Sequence, residues 1–367
     1  MSFKSSFCLT ILAITFFIGG AVRCDELVEG KDFVYVARDG GAGGYEAFPD
    51  VARLADGRLL CVFYDGDGHV AFPSDSLPNG GRVSGCFSED EGKTWSEPFV
   101  VFDSPFDDRD PGVTVTEDGT ILVNFFLLDN PVRPHTWYRK LGTWYVQSTD
   151  GGKTWSRVYP VSDNFFVSSP IRILRDGRWA VGLYNEEPNY EAAVAVSDDQ
   201  GKSWKTVVIP TGDLQVDAET DVVELSDGSL LALMRNREGK NPMAWSRSSD
   251  RGETWTVGES TGFTGHCPYL HLTPDGTLVM AIRTPPEERT ISYEGIIYSS
   301  TTLRLSPDEG KTWGPPTLVD RFLGAYPSLV NLKDGTTLIV YYEEGRGSSI
   351  RARKFHVNNG NVEWDTF

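Results

Sequence analysis

Long hydrophobic runs are nearly absent from these 367 residues. The single one, Phe7 to Val22, is short for a membrane span and is followed by Asp25 and Glu26. Lys4 precedes it, and Gly19, Gly20 and Ala21 lie near its end, the pattern of an export signal. Residues 1–24 are therefore expected to be a signal peptide, and 25–367 a secreted or periplasmic single domain. Cysteine is scarce as well. Of 5, Cys8 and Cys24 fall in the signal, and the odd remainder, Cys61, Cys86 and Cys267, excludes a disulfide framework. Cys61 and Cys86 fall on neighbouring expected strands and are in reach of pairing, but buried small hydrophobes are the simpler reading. Basic residues are outnumbered, 34 Lys and Arg against 52 Asp and Glu, and the net charge of −18 makes nucleic acid and anionic membranes poor partners. Histidine is limited to 5, and the spacing of His69, His135 and His266 matches no metal motif, so neither metal nor cofactor is expected.

What is present in quantity is turn and strand chemistry. The 38 Gly, 21 Pro, 10 Trp and 14 Tyr favour an all-β protein. One motif recurs five times: Ser88 to Trp95 (SEDEGKTW), Ser148 to Trp155, Ser197 to Trp204, Ser248 to Trp255 and Ser306 to Trp313. The intervals between its aspartates Asp90, Asp150, Asp199, Asp250 and Asp308 are 60, 49, 51 and 58 residues, a period that means stacked supersecondary units. Its Asp accepts backbone N–H groups in a turn, its Gly takes positive φ, and its Trp opens the next strand. The motif thus reads as a hairpin stabiliser rather than as chemistry.

A second repeat is independent of the first. Short β-runs opened by Pro49, Pro111, Pro170, Asp221, Pro268 and Pro327 each lead to an Asp-Gly turn and a second apolar run. Six such hairpins, five followed by the first motif, predict a six-bladed β-propeller of four-stranded antiparallel blades. The strand Phe33–Ala37 is expected to complete the last blade beside Ile350–His356, closing the ring with both ends of the chain.

This topology places both kinds of turn on one face. On the other, the approaches to the innermost strands and the exits of the second strands converge on the axis, where a concave pocket is expected. These segments carry Asp50, Asp65, Asp67, His69, Arg109, Asp110, Glu219, Arg235, His266, Arg283 and Tyr326. Carboxylates, arginines and tyrosines in that mixture suit glycoside chemistry, which flanks the scissile bond with paired acids.

The Asp-containing turns and the six-fold hairpin pattern resemble the sialidase superfamily. The resemblance implies a Tyr nucleophile at the approach to the final inner strand, and Ala325-Tyr326-Pro327-Ser328-Leu329 fits it at Tyr326. It implies a Glu that takes the Tyr proton just before a strand like Asp221-Val-Val-Glu-Leu-Ser-Asp-Gly, which is Glu219. Arg235 and Arg283, with Arg289 as the alternative to the latter, resemble the arginines that hold an acidic sugar. Asp67 or Asp65 would be the acid/base; Asp50, after Pro49, is a rival without a family counterpart. Asp110, His69 and His266 are expected to line the substrate site.

The departure is at the first blade, where the family shows Arg-Ile-Pro and this chain shows Ala47-Phe48-Pro49. The carboxylate-binding Arg is missing, and Arg109 would have to replace it from another direction. The implied function is an exo-acting, retaining hydrolase of terminal, acidic sugars on glycoconjugates or polysaccharides. Two alternatives stand beside it: a glycan-binding propeller without catalysis, and a hydrolase or lyase for another polysaccharide.

Overall fold

The structure, a computed structural model, describes residues 33–38, 41, 43–129, 138–186, 189–236, 241–285, 299–321, 324–344 and 348–367. Among the described residues there is no helix, hence none long and apolar enough to cross a membrane. Residues 1–24, Arg289 and His135 lie outside them.

Strand β1 (Val34–Arg38) precedes the first blade. That blade is β2 (Tyr45–Arg53), β3 (Leu59–Gly66), β4 (Arg82–Ser88) and β5 (Phe99–Phe102). The second is β6 (Asp107–Val115), β7 (Ile121–Asp129), β8 (Arg139–Ser148) and β9 (Tyr159–Ser162). The third is β10 (Arg172–Ile173), β11 (Trp179–Asn185), β12 (Glu191–Ser197) and β13 (Lys205–Val208). The fourth is β14 (Val216–Glu224), β15 (Leu230–Asn236), β16 (Ala244–Ser248) and β17 (Glu259–Ser260). The fifth is β18 (His266–Leu272), β19 (Leu278–Thr284), β20 (Ser300–Ser306) and β21 (Thr317–Asp320). The sixth is β22 (Gly324–Asn331), β23 (Thr337–Glu343) and β24 (Ser349–Asn358), with β1 and β25 (Asn361–Asp365) both against β24. All pairings are antiparallel, and the molecule is a six-bladed β-propeller.

The sixth blade departs from the expected pattern in its outer strand. Val34–Arg38 pairs with Ser349–Ala352, while β25 pairs with Lys354–Asn358 through a two-residue turn at Asn359-Gly360. Both turn residues have positive φ, 50° and 74°, as a two-residue hairpin turn of the I′ type demands. The outermost position is thus shared by the two ends of the described chain.

The core lies in six apolar seams, one between each pair of neighbouring blades. Trp95, Trp155, Trp204, Trp255 and Trp313 of the recurring motif each pack into the seam with the preceding blade. In the remaining seam, between the fifth and sixth blades, Trp364 of β25 packs against the cluster of Val319, Leu329 and Tyr341. In each motif the Asp side chain accepts the backbone N–H and the hydroxyl of the Thr or Ser four residues on. For Asp90 and Thr94 the distances are 2.9 and 2.6 Å. The motif glycines sit against the preceding blade. A Cβ on Gly310, whose φ is 83°, would meet a Leu231 methyl at 2.6 Å.

Register puts both turn types on one face. Arg53 is opposite Leu59 and Leu59 opposite Ser88, whereas Tyr45 is opposite Gly66 at the other end of the blade. Around the axis the innermost strands are latched to one another. Asp50 accepts the Val113 N–H at 2.7 Å and the Ser328 hydroxyl, joining the second, first and sixth blades. Asn124 accepts the Ile171 N–H at 2.9 Å and donates to the Ser169 carbonyl at 3.0 Å. Ser169 donates to the Thr220 carbonyl at 3.0 Å, Asp221 accepts the Leu270 N–H at 2.7 Å, and Asn331 donates to the Leu272 carbonyl at 3.0 Å.

Asp50 is therefore a latch between blades, its carboxylate engaged by Val113 and Ser328. Burial pushes its carboxyl up to about 6 even though Ser328 and two backbone N–H groups pull it down. Replacing it orphans a buried N–H and a buried hydroxyl. Asp50→Ala is expected to lower stability by about 2–4 kcal/mol, read by urea unfolding at neutral pH. A loss under about 0.5 kcal/mol, the range of an ordinary surface change, would refute the latch.

Candidate functional site

Five of the six innermost strands begin with a bulge; the short inner strand of the third blade, Arg172–Ile173, pairs in continuous register. The register shifts between Ala47 and Asp50, Arg109 and Gly112, Ala218 and Thr220, His266 and Tyr269, and Ala325 and Ser328. Eight residues before the Asp of each Asp-Gly turn stand Phe48, Asp110, Ser168, Glu219, Cys267 and Tyr326, in blade order. Phe48, Asp110, Cys267 and Tyr326 have φ of 54°, 47°, 43° and 36°. That is costly for side-chain-bearing residues, doubly so before Pro, and such strain collects at functional sites. The bulge frees these residues from strand pairing where the blades converge.

Above them lies a well of about 190 Å³. Its lining includes Arg109, Asp110, Glu186, Glu219, Arg235 and Tyr326, with His69 at the side. Tyr326 donates its hydroxyl to Glu219 Oε1 at 2.5 Å, although the two are 107 residues apart. Arg235 Nη1 donates to both oxygens of the same carboxylate, at 2.9 and 3.1 Å, and its Nε lies 3.5 Å from Asp217. Burial alone would raise the Glu219 carboxyl. Arg235, the Tyr326 hydroxyl, His266 and Arg283 outweigh it, and the net shift is below the usual glutamate value. Burial, then Glu219 and Asp110, raise the Tyr326 phenol well above 10. The resting state is a neutral phenol hydrogen-bonded to an ionised carboxylate.

The Tyr326 ring is held by aromatic packing, its centroid 4.7 Å from Phe48 and 6.1 Å from Tyr342. The Arg283 guanidinium lies 5.5 Å from the Tyr326 ring centroid and donates to the Gly324 carbonyl and, at 3.0 Å, to the Tyr342 hydroxyl. Arg109 is buried under the rings of Tyr64, Phe48 and Phe126, donating to the His69 carbonyl at 2.6 Å and to Asp107 at 3.3 Å. Its Nη2 is 3.9 Å from Asp110 Oδ1.

The other expected residues are placed as follows. The His69 ring meets the Tyr45 hydroxyl at 3.2 Å and Glu344 at 3.9 Å. The protein packed around it, then Arg109 and Arg283, lower its pKa below the ordinary histidine range. His266 pairs in register with Arg283 and acts on Glu219 electrostatically. Asp65 is fully buried inside the first blade, where it accepts Arg82 Nε at 3.0 Å and the Ser84 hydroxyl at 2.9 Å. Asp67 is exposed, and of these two expected acid/base candidates of the first blade the structure brings neither into the well's lining. Sequence reasoning also missed an apolar wall of Phe126, Leu128 and Phe166 with Tyr138 beside it. Its one signal was the unbroken apolar run Phe125 to Leu128, continuing to a strand end where other second strands turn polar. Among the described residues no group of three His, Cys, Asp or Glu is placed to hold a metal ion.

Comparison with known proteins agrees with this architecture. A sialidase from Micromonospora viridifaciens is 26% identical over 89% of this chain and 55% of its own length. The chain spans between 38% and 60% of the curated relatives it matches, all sialidases. Among solved structures, a Dyadobacter fermentans protein of unknown function superposes with a TM-score of 0.74 at 21% identity, covering 89% of this chain and 98% of that one. The intramolecular trans-sialidase from Ruminococcus gnavus gives 0.65 at 15% identity, covering 89% and 98%, a likeness of fold. The family model described as the BNR repeat-like domain matches residues 82–340, and with six blades and sialidase relatives this chain belongs to that family of sialidase-type propellers.

Proposed function

We propose that this protein is a retaining exo-glycoside hydrolase acting on a terminal, acidic sugar, with Tyr326 as nucleophile and Glu219 as its proton acceptor. The observation that carries the reading is the 2.5 Å hydrogen bond from the Tyr326 hydroxyl to Glu219 at the bottom of the axial well. A phenol is a poor nucleophile near neutrality unless a base takes its proton as it attacks. Glu219, kept ionised by Arg235, is positioned to do that.

The phenolic oxygen bonds the anomeric carbon as the glycosidic bond breaks, and the Tyr326 proton passes to Glu219. The departing oxygen takes a proton from an acid in the well. Water then attacks the anomeric carbon, giving its proton back to that acid, and Tyr326 recovers its own from Glu219. Two displacements restore the original anomeric configuration. Arg235 and Arg283 would hold an acidic substituent of the sugar, with Arg109 at greater depth.

A second reading, a glycan-binding propeller without turnover, is favoured by one observation. Ala47 is fully buried where the family's first arginine would stand, and Arg109, Arg235 and Arg283 already have protein partners. A panel of 4-nitrophenyl glycosides of N-acetylneuraminic acid, glucuronic acid and neutral hexoses separates the two readings. Turnover supports the hydrolase; binding by calorimetry without turnover supports the lectin-like protein.

In the hydrolase, Tyr326→Phe is expected to lower kcat on the order of 10³-fold or more with its thermal unfolding unchanged, and unaltered kcat would reject the nucleophile. The pH profile gives an independent test. Glu219 works ionised and its pKa is depressed, so activity is present above that pKa and lost as pH falls through it. The acid limb of kcat/KM is therefore expected below about pH 4.3, the ordinary glutamate value. An acid limb above about pH 5 would mean that Glu219 is not the group being titrated.

A further inference from the structure

We infer that Asp110 is the general acid of this well, the residue that protonates the departing glycosidic oxygen. The inference rests on the Tyr326–Glu219 reading above.

Among the described residues the carboxyls lining the well are Asp110, Glu186 and Glu219. Glu219 is ionised and engaged by Tyr326 and Arg235, so it has no proton to give. Glu186 stands at the side, partly exposed, accepting the Tyr138 hydroxyl at 3.4 Å. Asp110 differs from both. It is only 4% exposed, and among the described residues its Oδ1 has no hydrogen-bond partner. Its backbone holds φ at 47° directly before Pro111, a strained arrangement that turns the residue toward the axis. Around the axis the five bulges carry Phe48, Asp110, Glu219, Cys267 and Tyr326, in the first, second, fourth, fifth and sixth blades, so Asp110, Glu219 and Tyr326 occupy alternate blades. A sugar ring seated over the axis would have the nucleophile, its base and Asp110 on three sides.

The surroundings suit an acid. Burial raises the carboxyl, Arg109 pulls it down, and Glu219, Asp107 and Glu186 raise it again, leaving it at about 7. Tyr184 and Tyr326 complete the titratable groups coupled to it. Around neutral pH it therefore exchanges a proton easily in either direction. In the first step the Asp110 proton goes to the glycosidic oxygen as the C–O bond breaks and the Tyr326 O–C bond forms. The new carboxylate then faces Arg109, 3.9 Å away. In the second step it takes a proton from the attacking water, as the Tyr326 O–C bond breaks and Glu219 returns the phenol proton.

The test uses the full chain and the sugar that the panel identifies, offered as its 4-nitrophenyl glycoside and as its lactoside. Nitrophenolate departs without help, whereas a sugar alcohol needs the proton. Asp110→Asn is expected to lower kcat/KM on the lactoside by about 10²–10⁴-fold and on the nitrophenyl glycoside by less than about tenfold. Asp110→Glu should recover part of the lactoside rate. In the wild type, lactoside turnover should fall as pH rises through about 7, while nitrophenyl turnover should not. This profile needs no variant, so it decides the matter even where a substitution at this buried position unfolds the protein. Equal losses on both substrates, a wild-type profile without that limb, or a leaving-group-dependent loss in Glu186→Gln or Asp67→Asn instead, overturns the assignment. With Tyr326→Phe inactive, such a result removes Asp110 alone. An active Tyr326→Phe, or a wild type inert on the whole panel, removes the nucleophile reading and this one with it.

Discussion

Closing a ring of sheets leaves a set of strand edges around the axis, and their N–H groups have no further strand to bond. A buried unpaired N–H is expensive, so each must find an acceptor on the neighbouring blade. That constraint shapes the centre of this molecule. Asp50, Asn124 and Asp221 are polar residues in the interior because each accepts an N–H of the next inner strand, at Val113, Ile171 and Leu270. Asp221 is further held by Arg172, at 2.7 Å, reaching from the blade before. With latches at every junction, the bulges just upstream cannot relax, and positive φ persists in front of three inner-strand prolines and at Tyr326 before a fourth. The 2.5 Å contact of Tyr326 with Glu219 is thus a consequence of ring closure, not of local sequence.

Much of this is legible in the sequence. The blade count followed from two independent repeats, and the last blade's use of Phe33–Ala37 followed from the need to close the ring. Trp364 was not legible, since no motif surrounds it, yet it packs in the one seam that lacks a motif tryptophan. The signal was there in a different form, in Asn359-Gly360 between two alternating runs, and an Asn-Gly turn does the work that an Asp-containing turn does in five other blades.

The places of the candidate residues are legible in the sequence where a bulge sets them, and illegible where strand parity sets them. Tyr326 and Glu219 precede well-marked inner strands, so their direction is constrained. Asp65 sits near the end of a second strand, where successive side chains alternate between faces. Tyr64 points its hydroxyl toward Asp107 and the Ala71 N–H, while its neighbour Asp65 turns to Arg82 and Ser84. A carboxylate one position along would face the other way, and composition alone does not reveal which face it takes. Asp50 is placed by a related rule. Its place directly after Pro49 is the latch position, which Asp221 occupies in the fourth blade, six residues before the same Asp-Gly turn.

Charge separates this well from a simple anion trap. Arg109, Arg235 and Arg283 bring three positive charges, while Asp107, Asp110, Asp217, Glu186 and Glu219 bring five carboxyl groups to the same neighbourhood. An acidic sugar would approach guanidinium groups whose fields are already compensated, so its affinity must come from displacing or sharing those partners. Arg235 can share, because its guanidinium offers five donors and Glu219 engages only Nη1. Arg283 also has a donor to spare, with Nε on the Gly324 carbonyl and Nη2 on Tyr342. Arg109 is the most enclosed, between aromatic rings and the His69 carbonyl, and serves the well mainly by setting the charge around Asp110. On the proposed reading, recognition of the sugar's acidic group would fall to the fourth and fifth blades, and proton transfer to the second, fourth and sixth. The first blade, where the expected arginine is replaced by Ala47, contributes chiefly the aromatic floor of Phe48 beneath Tyr326.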